Sequence, residues 1–423
     1  MGLVKNKLPF DANKPGSMGG QFPDEFPNTT IIPRGLRQSK PIKAVSFPTP
    51  SKTTSTPFPS IEPIRKLYGS SLILFMKILF LFVFLVISTK VYAVNEESIL
   101  ADSFPDKLSD FGFFLDNNAQ TPHEKVLPYE LISSLFSDYS YKQRWLYVPQ
   151  NKFARYVEDQ VFEFPVGSAL IKTFYYPIDE RDQSQGKQLL ETRVLLNKSN
   201  GWEAVSYAWN TEQNEAVKKI AGKSIKVNWI DFEGELKEVR YRVPNVNQCK
   251  ECHALADEIM PIGPKARNIN KDIDFTEGRY NQLAYWMQKE IISEVPNNLI
   301  SPVDWSDNSK HIDDRARSYL DINCGHCHSP LGNANSTGLY LHLNETRNTQ
   351  LGMYKKPVAT GRGSGGLKYS IVPGSADKSI LVHRMESMDP GVMMPESGRS
   401  LTHKEAVQMV RDWIDDMANS RRY

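Results

Sequence analysis

The chain has four cysteines, and they fall in two stretches of one pattern: Cys249-Lys250-Glu251-Cys252-His253 and Cys324-Gly325-His326-Cys327-His328. Both read C-x-x-C-H, the attachment signature of c-type haem. The spacing suits that chemistry. Two thiols three positions apart can add to the two vinyl groups on one edge of a haem, and the histidine that follows lands under the iron as proximal ligand. On this reading Cys249, Cys252, Cys324 and Cys327 carry two covalent haems c, and His253 and His328 ligate their irons. Two other chemistries use C-x-x-C. A four-cysteine zinc ribbon wants about 15 to 20 residues between its pairs, whereas 71 separate Cys252 from Cys324. A thioredoxin-like dithiol needs a βαβ setting, which neither stretch has. Neither alternative explains a histidine directly after both pairs in a chain with only 8 histidines.

An iron held from one side takes a second axial ligand or stays open. Met394-Pro395 lies 66 residues after His328, in a stretch that reads as loop. A thioether there is a soft ligand that raises the haem potential, so Met394 is assigned to the second iron. Met393 and Met388 are read as filler. For the first iron Met260, Met287 and His311 are candidates beside an open position. Glu251 and His326 sit between cysteines and are expected to face away from their own irons. No catalytic residue is assigned. The run Gly361-Arg-Gly-Ser-Gly-Gly366 satisfies G-x-G-x-x-G but opens no helix of a βαβ unit, so it reads as a loop. Arg362, Lys265 and Arg267 are propionate partners or solvated charges, and the solvated reading is favoured.

The elements that must position these residues follow from periodicity. Leu135 to Val243 is strand-rich: Ala169–Tyr176, Leu189–Leu196 and Trp202–Trp209 are β-prone, and Ile225 to Val243 alternates about a Glu233-Gly234 turn as a hairpin does. Helices are expected at Pro128–Leu135, Glu277–Ser293, Asp313–Ile322 and Ser375–Met385. A last helix starts at Thr402, with Glu405 completing a capping box. Its Ala406, Met409, Val410, Trp413, Ile414 and Met417 line one face. Gly338–Leu343 reads as a short strand. The expected fold class is α+β and multidomain. It has an antiparallel β-rich domain (94–243), a small helical haem segment (244–300), and a C-terminal all-α class I cytochrome c-like domain (301–423).

Charge is uneven. Residues 1–75 carry +6 and 11 of the 27 prolines, and residues 94–423 carry −6. The proline-rich part cannot build a core, and the acidic remainder shows no nucleic-acid footprint. Met76-Lys77, the apolar run Ile78–Ile87 and Val91-Tyr-Ala93 form the charged, apolar and small-residue regions of a signal peptide. Residues 1–75 then read as a spurious upstream extension, with a signal anchor as the alternative. The folded part is expected in the periplasm, at the membrane only if the signal stays uncleaved.

The chain resembles a family of exported di-haem c-type cytochromes with an N-terminal β-rich module. The resemblance runs through Leu135-FSDYSYKQRW, Phe164-PVGSALIKTF, Leu190-ETRVLL, Gly201-WEAVSYAWN, Pro244-NVNQCKECH, Ile262-GPKARNIN, Asn281-QLAYW, Tyr319-LDINCGHCH, Ile371-VPGSADKSILVHRM and Met393-MPESGRSL. It implies a periplasmic redox protein with two covalent haems and protein redox partners, and it does not require methionine at 260 or 287. Three functions stay open: an electron carrier or electron-accepting module of a dehydrogenase system, a di-haem peroxidase or oxidase with one open iron, and a binding protein gripping a partner through its β module.

Overall fold

Six strands form an antiparallel meander in chain order: β1 (Val126–Pro128), β2 (Tyr141–Tyr147), β3 (Ala169–Pro177), β4 (Lys187–Lys198), β5 (Gly201–Trp209) and β6 (Ala216–Lys218). The computed structural model describes residues 93–256 and 258–419. The expected signal peptide and the proline-rich extension lie outside the described residues, apart from Ala93. The central strands are covered on both faces, which is why they read as nearly continuous apolar runs and not as simple alternation. One face carries Trp145, Ile171, Val194 and Val205, packed with Phe111, Phe113 and Tyr207. The other carries Leu146, Leu170, Leu195 and Ala204 at one end. At its other end Phe174 and Ala208 meet the hairpin β7 (Lys223–Ile230) and β8 (Leu236–Val243).

After β8 come α1 (Val246–His253), a minimal hairpin β9 (Ala254–Leu255) and β10 (Glu258–Ile259), and the single turn α2 (Ala266–Ile269). A second hairpin follows, β11 (Asp272–Phe275) and β12 (Gly278–Asn281), then α3 (Gln282–Gln288). The haem segment is therefore mixed and not simply helical. The expected helix Glu277–Ser293 shrinks to α3 because Asn281 caps it, its side chain accepting from Leu283 N (3.0 Å) and Ala284 N (3.3 Å). Trp286 of α3 is fully buried in the cluster that holds Leu146, Leu170 and Leu195.

The C-terminal part corrects the expectation of an all-α class I cytochrome c-like domain. Among the described residues strand outweighs helix, 27% against 24%. The longer helices here are α4 (Ile312–Leu320), α5 (Ile380–Glu386) and α6 (Lys404–Asp416). From Cys327 to Ser379 the chain is mostly turns and single helical turns, tied by parallel bridges Met353↔Ile371 and Tyr369↔Ser379. The physical reason is composition: Gly332, Gly338, Gly352, Gly361, Gly365, Gly366 and Gly374 interrupt that stretch, and glycine weakens helices. Gly338–Leu343 is irregular and forms no strand, and Pro128–Leu135 forms no helix beyond strand β1. Ser375–Met385 breaks into a 3-10 turn (Ala376–Lys378) and α5. The expected face of α6 is buried: Ala406, Met409, Val410, Trp413, Ile414 and Met417 are all at most 4% exposed. Each fully buried apolar side chain contributes about 1.5–3 kcal/mol. The described residues form one compact unit, and among them no helix is long and apolar enough to cross a membrane.

Candidate functional site

The first C-x-x-C-H lies on α1. Asn245 caps this helix: its side chain accepts from Gln248 N (2.9 Å), and the Gln248 side chain returns a bond to Asn245 N (3.1 Å). A helix puts Cys249, Cys252 and His253 on one face, since i, i+3 and i+4 coincide. The β9–β10 hairpin then turns the chain back on the histidine. Met260 N donates to His253 O at 2.7 Å, and His253 Nδ1 bonds the Met260 carbonyl at 2.7 Å. Nδ1 is thereby the protonated nitrogen, and Nε2 keeps its lone pair for a metal. Burial pushes His253 down to about 3, so the ring is neutral and competent to ligate. The Met260 main chain thus lies on the Nδ1 side of the imidazole, away from Nε2. Met287 packs partly buried against the core around Trp286, and His311 caps α4, its Nδ1 accepting from Asp313 N at 3.2 Å.

The second motif follows α4 through one π-helical turn, Asp321–Gly325. Such π turns gather at functional sites. Here it ends in Cys327 N and His328 N donating to Cys324 O at 3.1 and 2.8 Å. Two polar side chains lock the turn. Asp321 accepts from both Arg267 nitrogens (2.7 and 2.9 Å) and from Leu343 N (2.9 Å). Asn323 accepts from Phe136 N (2.8 Å) and donates to Tyr319 O (3.0 Å). Burial pushes Asp321 up, but the Arg267 guanidinium outweighs it and holds the carboxyl below its usual range. Arg267, read from sequence as a solvated charge, is 5% exposed and part of this pair. Its place on the buried turn α2 was invisible in a segment that reads as loop. Lys265 is half-buried, and Arg362 is exposed and paired with Asp389 at 2.9 Å.

Burial pushes His328 down to about 4, with the Leu339 backbone opposing it. Its Nδ1, like that of His326, is buried and makes no hydrogen bond of normal geometry. Burial also pushes the Cys324 and Cys327 thiols up to about 12 and raises Cys249. Reactive dithiols lower these values at helix N-termini. Cys324 instead ends a helix, where the backbone dipole disfavours a thiolate.

Met394 lies in a loop that converges on both motifs. Met394 N donates to Arg384 O (2.9 Å), and Arg399 donates to the carbonyls of Met394 (2.8 Å), Ser387 (2.9 Å) and Leu401 (3.1 Å). Asp138, on the turn before β2, accepts from Ser400 N (2.7 Å), Ser400 Oγ (2.6 Å) and Leu401 N (2.8 Å). Arg399 and Glu396 act electrostatically on Cys324 and Cys327, and Ser397 Oγ is 3.7 Å from Cys252 Sγ. Met394 is half-buried, Met393 is buried at 7%, and Met388 is 60% exposed. Exposure removes Met388 from contention.

The two motifs are neighbours although 75 residues separate their histidines. Leu255 bridges Gly332, Ala256 N donates to Leu331 O (3.1 Å), and Asn333 Nδ2 donates to Glu251 O (2.7 Å). Gly332 is required there, since a Cβ would stand 2.2 Å from Cys327 O. Glu251 is exposed, as expected. Among the described residues no three His, Cys, Asp or Glu side chains are grouped to hold a bare metal ion, so the thiols do not converge as a zinc site would. An open cleft of 410 Å³ lined by Trp305, Ile312, Arg315, Glu405 and Met409 contains no residue of either motif.

No family model, no curated protein and no solved structure matches the chain. The reading of the site rests on its own residues. Two C-x-x-C pairs of free thiols, each followed by a half-buried neutral imidazole, fit two c-type haems.

Proposed function

We propose that this chain is an exported c-type cytochrome with two covalent haems that passes electrons between protein partners, as a carrier or as the accepting module of a dehydrogenase system. The observation that carries the reading is the side-by-side packing of the two motifs, with the Met394 loop against both. Each haem, when bound, supplies one-electron chemistry. The chain's residues do the rest. Cys249, Cys252, Cys324 and Cys327 fix the two groups as neighbours, and His253 and His328 offer neutral nitrogens. The Met260 carbonyl orients the first ring, while Arg399 and Asp138 hold the Met394 loop so that its thioether can close the second site. Apolar packing around Trp286 and Trp413 backs Cys249 and Cys324. The periplasm is the proposed location, since covalent haem follows export and residues 76–93 have signal-peptide form.

One observation favours a second reading. Met260 meets His253 through its main chain and Met287 packs against the core around Trp286, so the first site could keep an open position, as a di-haem peroxidase or oxidase would need. Intact mass after periplasmic expression tests the main proposal: a chain starting near Val94 with two haems is expected. One haem, or zinc in its place, would sink it. Saturable peroxide turnover at roughly tens per second, the middle of the usual enzyme range, would replace the carrier with the enzyme.

A further inference from the structure

The sheet face turned toward α1 holds more positive charge than its own carboxylates balance. Arg144, Lys172 and Arg193 stand directly opposite one another on β2, β3 and β4, and Ser206 continues the row on β5. Lys142 lies two residues along β2 on the same face. Like charges facing one another across strands destabilise a sheet, so this row calls for a counter-charge. Glu191, fully buried two residues before Arg193, supplies one. Its Oε1 accepts from Arg193 Nε (2.8 Å) and the Tyr241 hydroxyl (2.6 Å), and its Oε2 has no partner. Asp138 and Glu130 act on the margins of the row, and Asp138 is committed to the Met394 loop.

What remains is unbalanced. Arg144 donates to Ser134 Oγ (3.3 Å) and Lys142 to Ser140 O (2.8 Å), both neutral acceptors. The Lys172 amine has no hydrogen bond or ion pair among the described residues, and burial, with Arg193 and Arg144 beside it, pushes it down to about 7. It lies 4.9 Å from the centroid of Phe174, a ring it shares with Arg193 (4.3 Å) and Lys142 (5.9 Å). Ser206 Oγ is buried with no partner. The row runs toward the first motif. Both α1 and β10 pack on β5, the strand of Ser206, and Cys249 packs on the apolar cluster of the same face. Lys172 and Arg193 are close enough to act on both Cys249 and His253.

We propose that Arg144, Lys172 and Arg193, with Ser206 as a neutral donor, form a carboxylate seat for the propionates of the haem held by Cys249 and Cys252. This rests on the di-haem reading above. Two propionates would bring two negative charges to four basic side chains that now face one hydrogen-bonded carboxylate, and would favour the charged forms that burial disfavours in Lys142 and Lys172. Arg144 offers a planar fork bonded only to Ser134 Oγ, Arg193 the donors that Glu191 leaves open, and Lys172 an amine that a carboxylate would hold protonated. A small dicarboxylate from solution has the same chemistry, but α1 and β10 pack over this end of the sheet, and a group anchored at Cys249 is delivered there by its own bonds.

The test uses the full chain carrying both haems. Lys172→Met should leave two haems in the intact mass and lower the reduction potential of one haem only. A nearby cation disfavours the ferric form, so removing it shifts the ferrous-to-ferric ratio at fixed poise about tenfold, about 59 mV for one electron. Propionate vibrational bands should move with it. Lys172→Arg should stay near wild type, and Lys226→Met, on the exposed hairpin, should change nothing. Two attached haems with unchanged potentials and bands in Lys172→Met would overturn the seat and leave the di-haem reading standing. Equal falls in Lys172→Met and Lys172→Arg would also overturn it, because charge would not be the cause. Absence of haem from wild type would instead sink the di-haem reading. Succinate, compared with sodium chloride at equal ionic strength, should not stabilise the loaded protein. Stabilisation lost in Lys172→Met would assign the seat to a free dicarboxylate and overturn the propionate assignment.

Discussion

The two C-x-x-C-H stretches share a pattern but not a setting. The first lies within a capped helix laid on a charged sheet face, and its histidine is oriented by a backbone carbonyl seven residues on. The second hangs from the end of a helix, through a π turn fixed by Asp321 and Asn323, and a methionine loop closes over it. The difference bears on the irons. The second neighbourhood includes the Met394 loop, whose thioether, as the proposed ligand, would raise potential. The first lies beside the basic row of the sheet, and Met260 meets His253 through its main chain. Two haems in such unlike surroundings would differ in potential, and a difference in potential gives electron flow a direction.

The contrast can be broken first at the joint between the regions. The Arg267–Asp321 pair ties α2, just after the first motif, to the turn before the second, with both side chains about 5% exposed or less. Removing one partner strands a buried charge, which costs about 3–5 kcal/mol. Asp321→Ala should therefore lower unfolding stability by that order in denaturant titration and broaden the signals of both haems. If stability is unchanged, the two neighbourhoods are not coupled through this pair. The native carboxyl is held low, so its contribution is fully present above the unfolded pKa of an aspartate. It is lost as pH falls through the lower folded value, and the gap between wild type and Asp321→Ala should close in acid.

A smaller and more local effect belongs to the proposed ligand. Met394→Ala should open the second iron, lower its potential, and let carbon monoxide bind the ferrous form there, because the thioether is gone. Met260→Ala should leave both spectra in place, since the main chain of residue 260 does the work at His253. Survival of the sulfur–iron band in Met394→Ala would pass the role to Met393.

Much of this contrast was legible in the residues. The C-x-x-C-H pattern, the strands from Ala169 to Val243 and the buried face of α6 all follow from local spacing. What was not legible is long-range. Arg267 looked solvated because nothing local shows that Asp321, 54 residues on, comes to meet it. The class I cytochrome expectation failed because a helix before a haem motif and a helix at the end do not dictate what lies between them. The capping box at Thr402 and Glu405 failed for a related reason. Thr402 Oγ1 donates to Glu386 O (3.1 Å), and a tyrosine from the turn before β2 takes over the helix start.

That tyrosine gives the smallest and sharpest test. The Tyr139 hydroxyl accepts from Lys404 N (3.1 Å) and donates to the Glu405 carboxylate (2.9 Å) at the first turn of α6. Asp138, its neighbour, holds Ser400 and Leu401. Both residues have positive φ, 51° and 61°, a conformation that side chains rarely adopt and that the surroundings must enforce. The turn before β2 therefore anchors the second region from outside it, gripping both the methionine loop and the helix that follows. Tyr139→Phe keeps the ring against Phe136 and His403 and removes only the hydroxyl. It should cost about 1 kcal/mol, the usual worth of one such hydrogen bond, and leave the first haem untouched. Asp138→Ala leaves three donors unmet and should cost about 1–3 kcal/mol, with a shift in the second haem's spectrum that Tyr139→Phe does not produce. If both variants disturb the two haems equally, the turn steadies the whole unit, and the methionine loop owes it nothing in particular.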